Sequence, residues 1–222
     1  MPKTLTPLQG DVLRYLFESG AGASGYFLTG GTALAEYYLE HRSSDDLDLF
    51  NRSDRDIAPD AADFLGGLES RGILARSERL SGNFARLHLS RGAEAIRIDL
   101  ANDVKAQMAP LREVEGIRVD SLEDIAVNKV CALFRQEPKD YVDLYFILTE
   151  TSWTLESLLS RAGMKDAAFD DPRTQLQFAH CLSLAGSFTL PPFMLKPLDV
   201  GEMQARLYSE AKKIFDRLAP GR

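Results

Sequence analysis

Hydrophobic and polar positions change period sharply between Phe27 and Phe50, where the chain reads FLTGGTALAEYYLEHRSSDDLDLF. A short apolar strand runs into a Gly-Gly turn, an amphipathic helix follows, and a second strand carries Asp46 and Asp48 one residue apart. Strand side chains alternate between faces, so the pattern predicts Asp46 and Asp48 on one side and Leu47 and Leu49 in the core. A second alternation, AIRIDL, puts Ile96, Ile98 and Leu100 on one face and Ala95, Arg97 and Asp99 on the other.

The remaining elements follow from punctuation. Thr6-Pro7 resembles a cap with proline at the first helical position and predicts a helix to about Glu18. Gly20 to Gly25 is a small-residue turn into a strand at Tyr26–Thr29. A helix is expected from Asp56 to about Arg71, ending at Gly72. Strands are expected at Ile73–Leu80, Phe84–Ser90 and Ala95–Leu100, separated by Ser81-Gly82-Asn83 and Arg91-Gly92-Ala93. From Pro110 to Val119 the sequence gives a loop with room for a short strand. Ser121-x-x-Asp124 then opens a helical region, with helices near Leu122–Arg135, Lys139–Thr149, Leu155–Lys165, Arg173–Ala185 and Val200–Leu218. The fold class predicted is α+β: a mixed β-sheet backed by helices over residues 1–110, followed by a predominantly helical region over 111–222.

Two carboxylates side by side repel each other, and their pairing makes sense where divalent metal neutralises them. Hard cations take oxygen ligands, and two of them can clamp the attacking and leaving oxygens of a phosphoryl displacement. At Gly30-Gly31 no Cβ blocks the approach of a phosphate to the backbone. A lone D-x-D is more often a solvated turn; here strand, Gly-Gly, helix and Asp-x-Asp strand occur in order. Asp99 is the candidate third carboxylate, against the alternative of an acid paired with Arg97, and Asp103 is a weaker candidate. Arg42 and Ser44 precede the acid pair and suit a triphosphate, one through a bidentate guanidinium and one through a hydroxyl; the plainer alternative is a helix cap and a turn serine.

In the helical region, Leu122, Ile125, Ala126 and Leu133 form a stripe with Lys129 in its middle, while Asp124, Asn128 and Arg135 make the polar side. Asp143 is the one charge in YVDLYFIL, and a carboxylate buried without a partner is costly. Lys129 is its expected partner, with Asp140 one turn away. A structural ion pair and the rim of a nucleotide pocket leave the same trace in sequence.

Gly30-Gly31 followed by Asp46-Leu47-Asp48-Leu49 resembles the signature of the DNA polymerase beta-like nucleotidyltransferase superfamily. Within it, GGTAL (Gly30 to Leu34) and HRSSDDLDLF (His41 to Phe50) are similar to the AbiEii/AbiGii-type nucleotidyltransferase toxins, as is DIAVNKVCALFRQEPKDYVDLYFIL (Asp124 to Leu148). The resemblance implies an enzyme that moves an NMP from an NTP to an acceptor hydroxyl with Mg²⁺ or Mn²⁺ held by Asp46, Asp48 and Asp99. It implies nucleotide binding by Gly30, Gly31, Thr32, Arg42, Ser44 and Asp143, and a catalytic Lys129 that contacts phosphates. It further implies a toxin of a toxin–antitoxin or abortive-infection pair, with a cognate antitoxin and an RNA acceptor such as tRNA. Aminoglycoside-type nucleotidyltransferases share the Gly-Gly and Asp-x-Asp core and are the rival; a non-catalytic nucleotide-binding module is a second.

Composition adds limits. At 222 residues and 45% hydrophobic the chain can bury a sizeable core. No apolar run approaches the roughly 18 residues of a membrane span, and the start lacks an apolar leader, so a cytoplasmic protein without membrane contact is expected. Cys131 and Cys181 read as reduced core thiols. His41, His88 and His180 show no zinc spacing, and no Walker or G-x-S-x-G sequence occurs. The formal net charge of −7 is not that of a general nucleic-acid binder. The acidity is concentrated in residues 1–150, which hold 17 basic and 25 acidic side chains, against 9 and 8 in residues 151–222. In the last helix Arg206, Lys213 and Arg217 share a face, expected to be a solvated face balanced by Glu202, Glu210 and Asp216 rather than an RNA groove.

Overall fold

Leu47, Ile98 and Leu87 stand opposite one another on three neighbouring strands, and Leu49, Leu100 and Ala85 repeat the arrangement two residues on. All six are at most 1% exposed. Because the side-chain period of a strand is two, burying these leucines and isoleucines commits the residues between them to the other face. In the computed structural model, which describes residues 4–21, 24–186 and 193–218, this rule arranges the whole first half of the chain.

The chain divides into two compact units, Met1–Leu122 and Glu123–Arg222. The first is built on a seven-stranded mixed sheet. Its strands are β1 (Phe27–Thr29), β2 (Asp46–Asn51), β3 (Leu74–Ser81), β4 (Phe84–Arg91), β5 (Glu94–Asn102), β6 (Arg112–Val114) and β7 (Ile117–Val119). They lie in the order β3-β4-β5-β2-β1-β7-β6. The β1–β2 pair and the β3–β4–β5 meander are antiparallel, whereas β2 runs parallel to β5 and β1 to β7. Helix α1 (Pro7–Glu18) starts at a capping box between Thr6 and Gln9, as the Thr-Pro start predicts, and buries Leu8, Val12, Leu13 and Leu16. It packs on β5 and β7, while α3 (Ala58–Glu69) packs on β3 and β4.

Three departures from the expected elements have local causes. The helix after Gly30-Gly31 is α-helical only over Gly30–Leu34 (α2), then widens to a π turn over Ala35–Leu39, and Glu40 ends it with φ +50°. The segment between Pro110 and Val119 is a small hairpin, β6–β7, turning at Glu115-Gly116 with φ +53° and +80°. Paired positive φ values suit a two-residue turn, and strands of three residues leave too short an alternation to be read. With these strands in its sheet, the first unit runs to Leu122. The expected turn at Gly20 to Gly25 includes residues 22 and 23, which lie outside the described residues.

The second unit is helical: α4 (Leu122–Ala132), α5 (Pro138–Glu150), α6 (Leu155–Lys165), α7 (Pro172–Ser183) and α8 (Val200–Leu218), with short 3₁₀ turns between some of them. Phe134, Phe169 and Phe178 form an aromatic cluster with ring centroids 5.6–6.3 Å apart. In α8, Met203, Leu207, Ala211 and Ile214 form the buried stripe. Its bases are locally neutralised: Arg206 and Lys213 converge on Glu210, and Lys212 pairs with Asp216. Among the described residues no helix is long and apolar enough to cross a membrane.

Truncating Leu49, fully buried in the central row, should destabilise the chain by about 2–5 kcal/mol. The urea unfolding midpoint of Leu49→Ala measures this, and a loss well under about 1 kcal/mol would show that the sheet face is not close-packed.

Candidate active site

The same alternation that buries Leu47 and Leu49 presents Asp46 and Asp48 on the opposite face of β2. Directly opposite residues on adjacent strands share a face. Asp48 stands opposite Asp99 on β5 and opposite Thr29 on β1, and Asp46 stands opposite Arg97. Asp46, Asp48 and Asp99 are thereby gathered on one face of two neighbouring strands, β2 and β5.

Two arginines balance this charge. Arg86, opposite Asp99 on β4, holds it with a two-pronged contact: Nε donates to Oδ1 at 2.8 Å and Nη2 to Oδ2 at 2.7 Å. The bonded carboxylate keeps the Arg86 guanidinium above its already high range. Arg97 donates through Nη2 to Asp46 Oδ2, and its Nε lies 3.8 Å from Asp99 Oδ2. Sequence reasoning named Arg97 only as a partner for Asp99 and missed Arg86. Asp103 lies beyond the strand, 3.7 Å from Arg52.

The turn between β1 and α2 closes on this face. Gly30 has φ +72°, and a Cβ there would fall 2.0 Å from Asp48 Oδ2. A Cβ on Gly31 would fall 2.4 Å from Arg42 Nη2 and 3.2 Å from Ser44 Oγ. Gly30 is therefore required for conformation and close approach, and at Gly31 the Arg42 tip and the Ser44 hydroxyl occupy the space that a Cβ would take. The Arg42 side chain is almost fully buried, and its Nη1 donates to the Ser43 carbonyl at 2.9 Å. Thr32, also buried, donates its hydroxyl to the Asp46 carbonyl, so it fixes the start of β2. Gln9 adds a brace that sequence reasoning missed, donating from Nε2 to the Ser44 carbonyl at 2.6 Å.

Beside Thr29 sits a buried carboxylate that the sequence did not single out. Asp120 is fully buried, accepts from the Thr29 hydroxyl at 2.9 Å and from Arg52 Nη2 at 2.9 Å, and its carbonyl accepts from Tyr38. It ties the end of β7 to the end of β1, next to Gly30. Its only sequence signal is an acid immediately after a short apolar strand.

Lys129 and Asp143 belong to the second unit. Lys129, 6% exposed, reaches Asp143 Oδ2 at 2.6 Å and Asp140 Oδ1 at 2.8 Å, and Arg135 adds a contact to Asp140 at 3.0 Å. The expected pair is thus a buried cluster in which one ammonium serves two fully buried carboxylates. Asp124, expected on the polar side of its helix, is fully buried and pairs with Lys165 at 3.0 Å. The helix stripe alone does not register α6, which supplies that partner.

Asp46 and Asp48 offer hard oxygen donors of the kind Mg²⁺ or Mn²⁺ takes. The arginine contacts do not exhaust them, since each carboxylate has about four lone-pair sites and a two-pronged arginine uses two. Among the described residues, however, no group of three or more His, Cys, Asp or Glu is already arranged as a metal cluster. The donor set fits a cation, which Asp46 and Asp48 would hold through the oxygens that the arginines leave open.

The mixed sheet backed by helices is a fold that solved nucleotidyltransferase structures share. A proposed nucleotidyltransferase from H. pylori superposes with TM-score 0.60 at 21% identity, covering 96% of this chain and 97% of its own. JHP933 from Helicobacter pylori gives 0.57 at 22% identity, covering 94% and 91%. MenT4, a nucleotidyltransferase toxin from Mycobacterium tuberculosis, gives 0.60 at 15% identity, covering 94% and 82%. The chain belongs to the nucleotidyl transferase AbiEii toxin family of type IV toxin–antitoxin systems, whose pattern matches residues 12–221. No curated protein matches it.

Two outcomes test these assignments. Gly30→Ala should reduce nucleotide binding at least tenfold in a titration followed by calorimetry while leaving the helical unit folded; unchanged binding would remove Gly30 from the site. Lys129→Ala should cost about 3–5 kcal/mol in urea unfolding, because it leaves Asp140 and Asp143 buried without their shared ammonium. Near-native stability would make the cluster dispensable to the fold.

Proposed function

We propose that the chain transfers an NMP from an NTP to a hydroxyl of an RNA acceptor, tRNA being the first candidate, and acts as the toxin of a pair with a cognate antitoxin. The observation that carries this reading is the gathering of Asp46, Asp48 and Asp99 on one sheet face, against a turn in which Gly30 and Gly31 leave no room for a side chain. Family membership and the toxin MenT4 among the structural neighbours support the biological role.

In this reading Gly30 and Gly31 let the triphosphate approach the backbone, and Arg42 and Ser44, which meet at Gly31, hold its oxygens. Thr32 and Gln9 position the strand and loop that carry the carboxylates and act through them. Asp46 and Asp48, with Asp99, would hold Mg²⁺ or Mn²⁺, which when bound supplies charge neutralisation at the reacting phosphate. Asp99 would also accept the proton of the attacking hydroxyl as pyrophosphate leaves. Positioning and electrostatics supply most of the rate in such transfers. Lys129 and Asp143 enter as the ion cluster that sets the helical unit, since Nζ is already shared by two carboxylates.

The assay offers the purified protein labelled NTPs and Mg²⁺, with total tRNA and a panel of aminoglycosides in parallel. The expected result is label on RNA, lowered by at least ~100-fold in Asp46→Ala. Label on an aminoglycoside would replace the RNA reading with the small-molecule one, and label on neither would leave a nucleotide-binding module.

A further inference from the structure

Next to the carboxylates the sheet carries a basic row, of which the transfer chemistry above leaves Arg76, Arg79 and His88 unused. Arg76 on β3 stands opposite His88 on β4, His88 opposite Arg97 on β5, and Arg97 opposite Asp46 on β2. One row further along, Arg79 stands opposite Arg86, and Arg86 opposite Asp99. A β-bulge makes this possible. The register of β3 on β4 shifts between Ser77 and Arg79, so one extra residue, Glu78, is accommodated there. Without it, Arg76 and Arg79, three apart, would point to opposite faces; with it, both join the face of Asp46 and Asp99.

This face is hollow. A cleft of about 550 Å³ is lined by Asp46, Arg97, His88, Arg76, Ser90 and Leu74, among others, and lies wholly in the first unit. Its size is that of a site for a ligand rather than a packing defect. In a chain of net charge −7, the segment from Leu74 to Asn102 carries five arginines against three acids. Much of that charge is already engaged, Arg86 with Asp99, Arg91 with Asp11, Arg97 with Asp46 and His88 with Glu78, whereas Arg76 is exposed at the far end of the row. Leu74, 74% exposed, adds an apolar surface at the same end.

We infer that this cleft takes the sugar-phosphate backbone of the acceptor, a single-stranded RNA end, leading its hydroxyl to Asp46 and Asp99. The inference rests on the transfer reading above and names the acceptor's path. Length favours a strand over a small acceptor: three strand spacings separate Arg76 from Asp46, about 14 Å, the reach of several nucleotides stacked at about 3.4 Å each. Charge at the open end of the cleft favours it too, since a polycationic aminoglycoside would meet the exposed Arg76 there. A phosphate backbone would meet complementary charge.

The test measures binding and transfer separately, using a short fluorescein-labelled single-stranded RNA with free terminal hydroxyls. In anisotropy titrations Arg76→Glu should weaken RNA binding roughly fivefold to tenfold and flatten its salt dependence by about 0.7–1 in log–log slope. Arg76→Lys should retain most of the affinity, and NTP binding by calorimetry should be unchanged in both. RNA binding by Arg76→Glu with wild-type affinity and salt slope would overturn the inference, as would no RNA binding by the wild type. If Arg76-dependent binding is seen without NMP transfer, the transfer reading fails and the RNA path stands. If transfer to RNA occurs at the wild-type rate and KM in Arg76→Glu, the path fails and the transfer reading stands.

Discussion

The two-residue period of β2 is the constraint on which the rest depends. Leu47 and Leu49 are wholly buried, and they cannot be so without turning Asp46 and Asp48 out together. Burial of apolar side chains at about 25 cal/mol per Å² thus holds in place two carboxylates that would otherwise repel each other. The parallel pairing of β2 with β5 brings Asp99 beside Asp48, and Arg86 and Arg97 balance the resulting charge.

Several buried side chains around the carboxylates fix backbone. Thr32 holds the Asp46 carbonyl, Gln9 holds the Ser44 carbonyl, and Asp120 links Thr29, Arg52 and Tyr38 at the ends of β1 and β7. Each is buried. Positional accuracy of this kind matters because a catalytic group displaced by an ångström loses much of its effect. The second unit follows the same economy of charge: Lys129 serves Asp140 and Asp143, and Lys165 serves Asp124.

Local pattern reached most of the elements and the face of Asp46, Asp48 and Asp99, because alternation and Gly-Pro punctuation are properties of neighbouring residues. What it missed was register. The β4–β5 hairpin closes with Arg91 opposite Glu94, so its loop is the two residues Gly92-Ala93. Counting outward from a two-residue loop puts Arg86 opposite Asp99, whereas the three-residue turn Arg91-Gly92-Ala93 gives no such pairing. The bulge at Glu78 has no local mark at all, and with it the placement of Arg76 was out of reach. Asp124 was misplaced for the same reason: its partner, Lys165, lies two helices away in sequence. The Lys129–Asp143 contact was legible because a lone acid in an apolar run requires a partner, although the sharing with Asp140 was not.

The most direct measurement is Mn²⁺ binding in the presence of a non-hydrolysable NTP analogue, followed by electron paramagnetic resonance. If the carboxylate face is the reaction centre, the wild-type chain and Arg76→Ala bind the ion with similar affinity, and Asp48→Asn loses at least ~tenfold. Equal Mn²⁺ affinity in the wild type and Asp48→Asn would contradict the account at its centre.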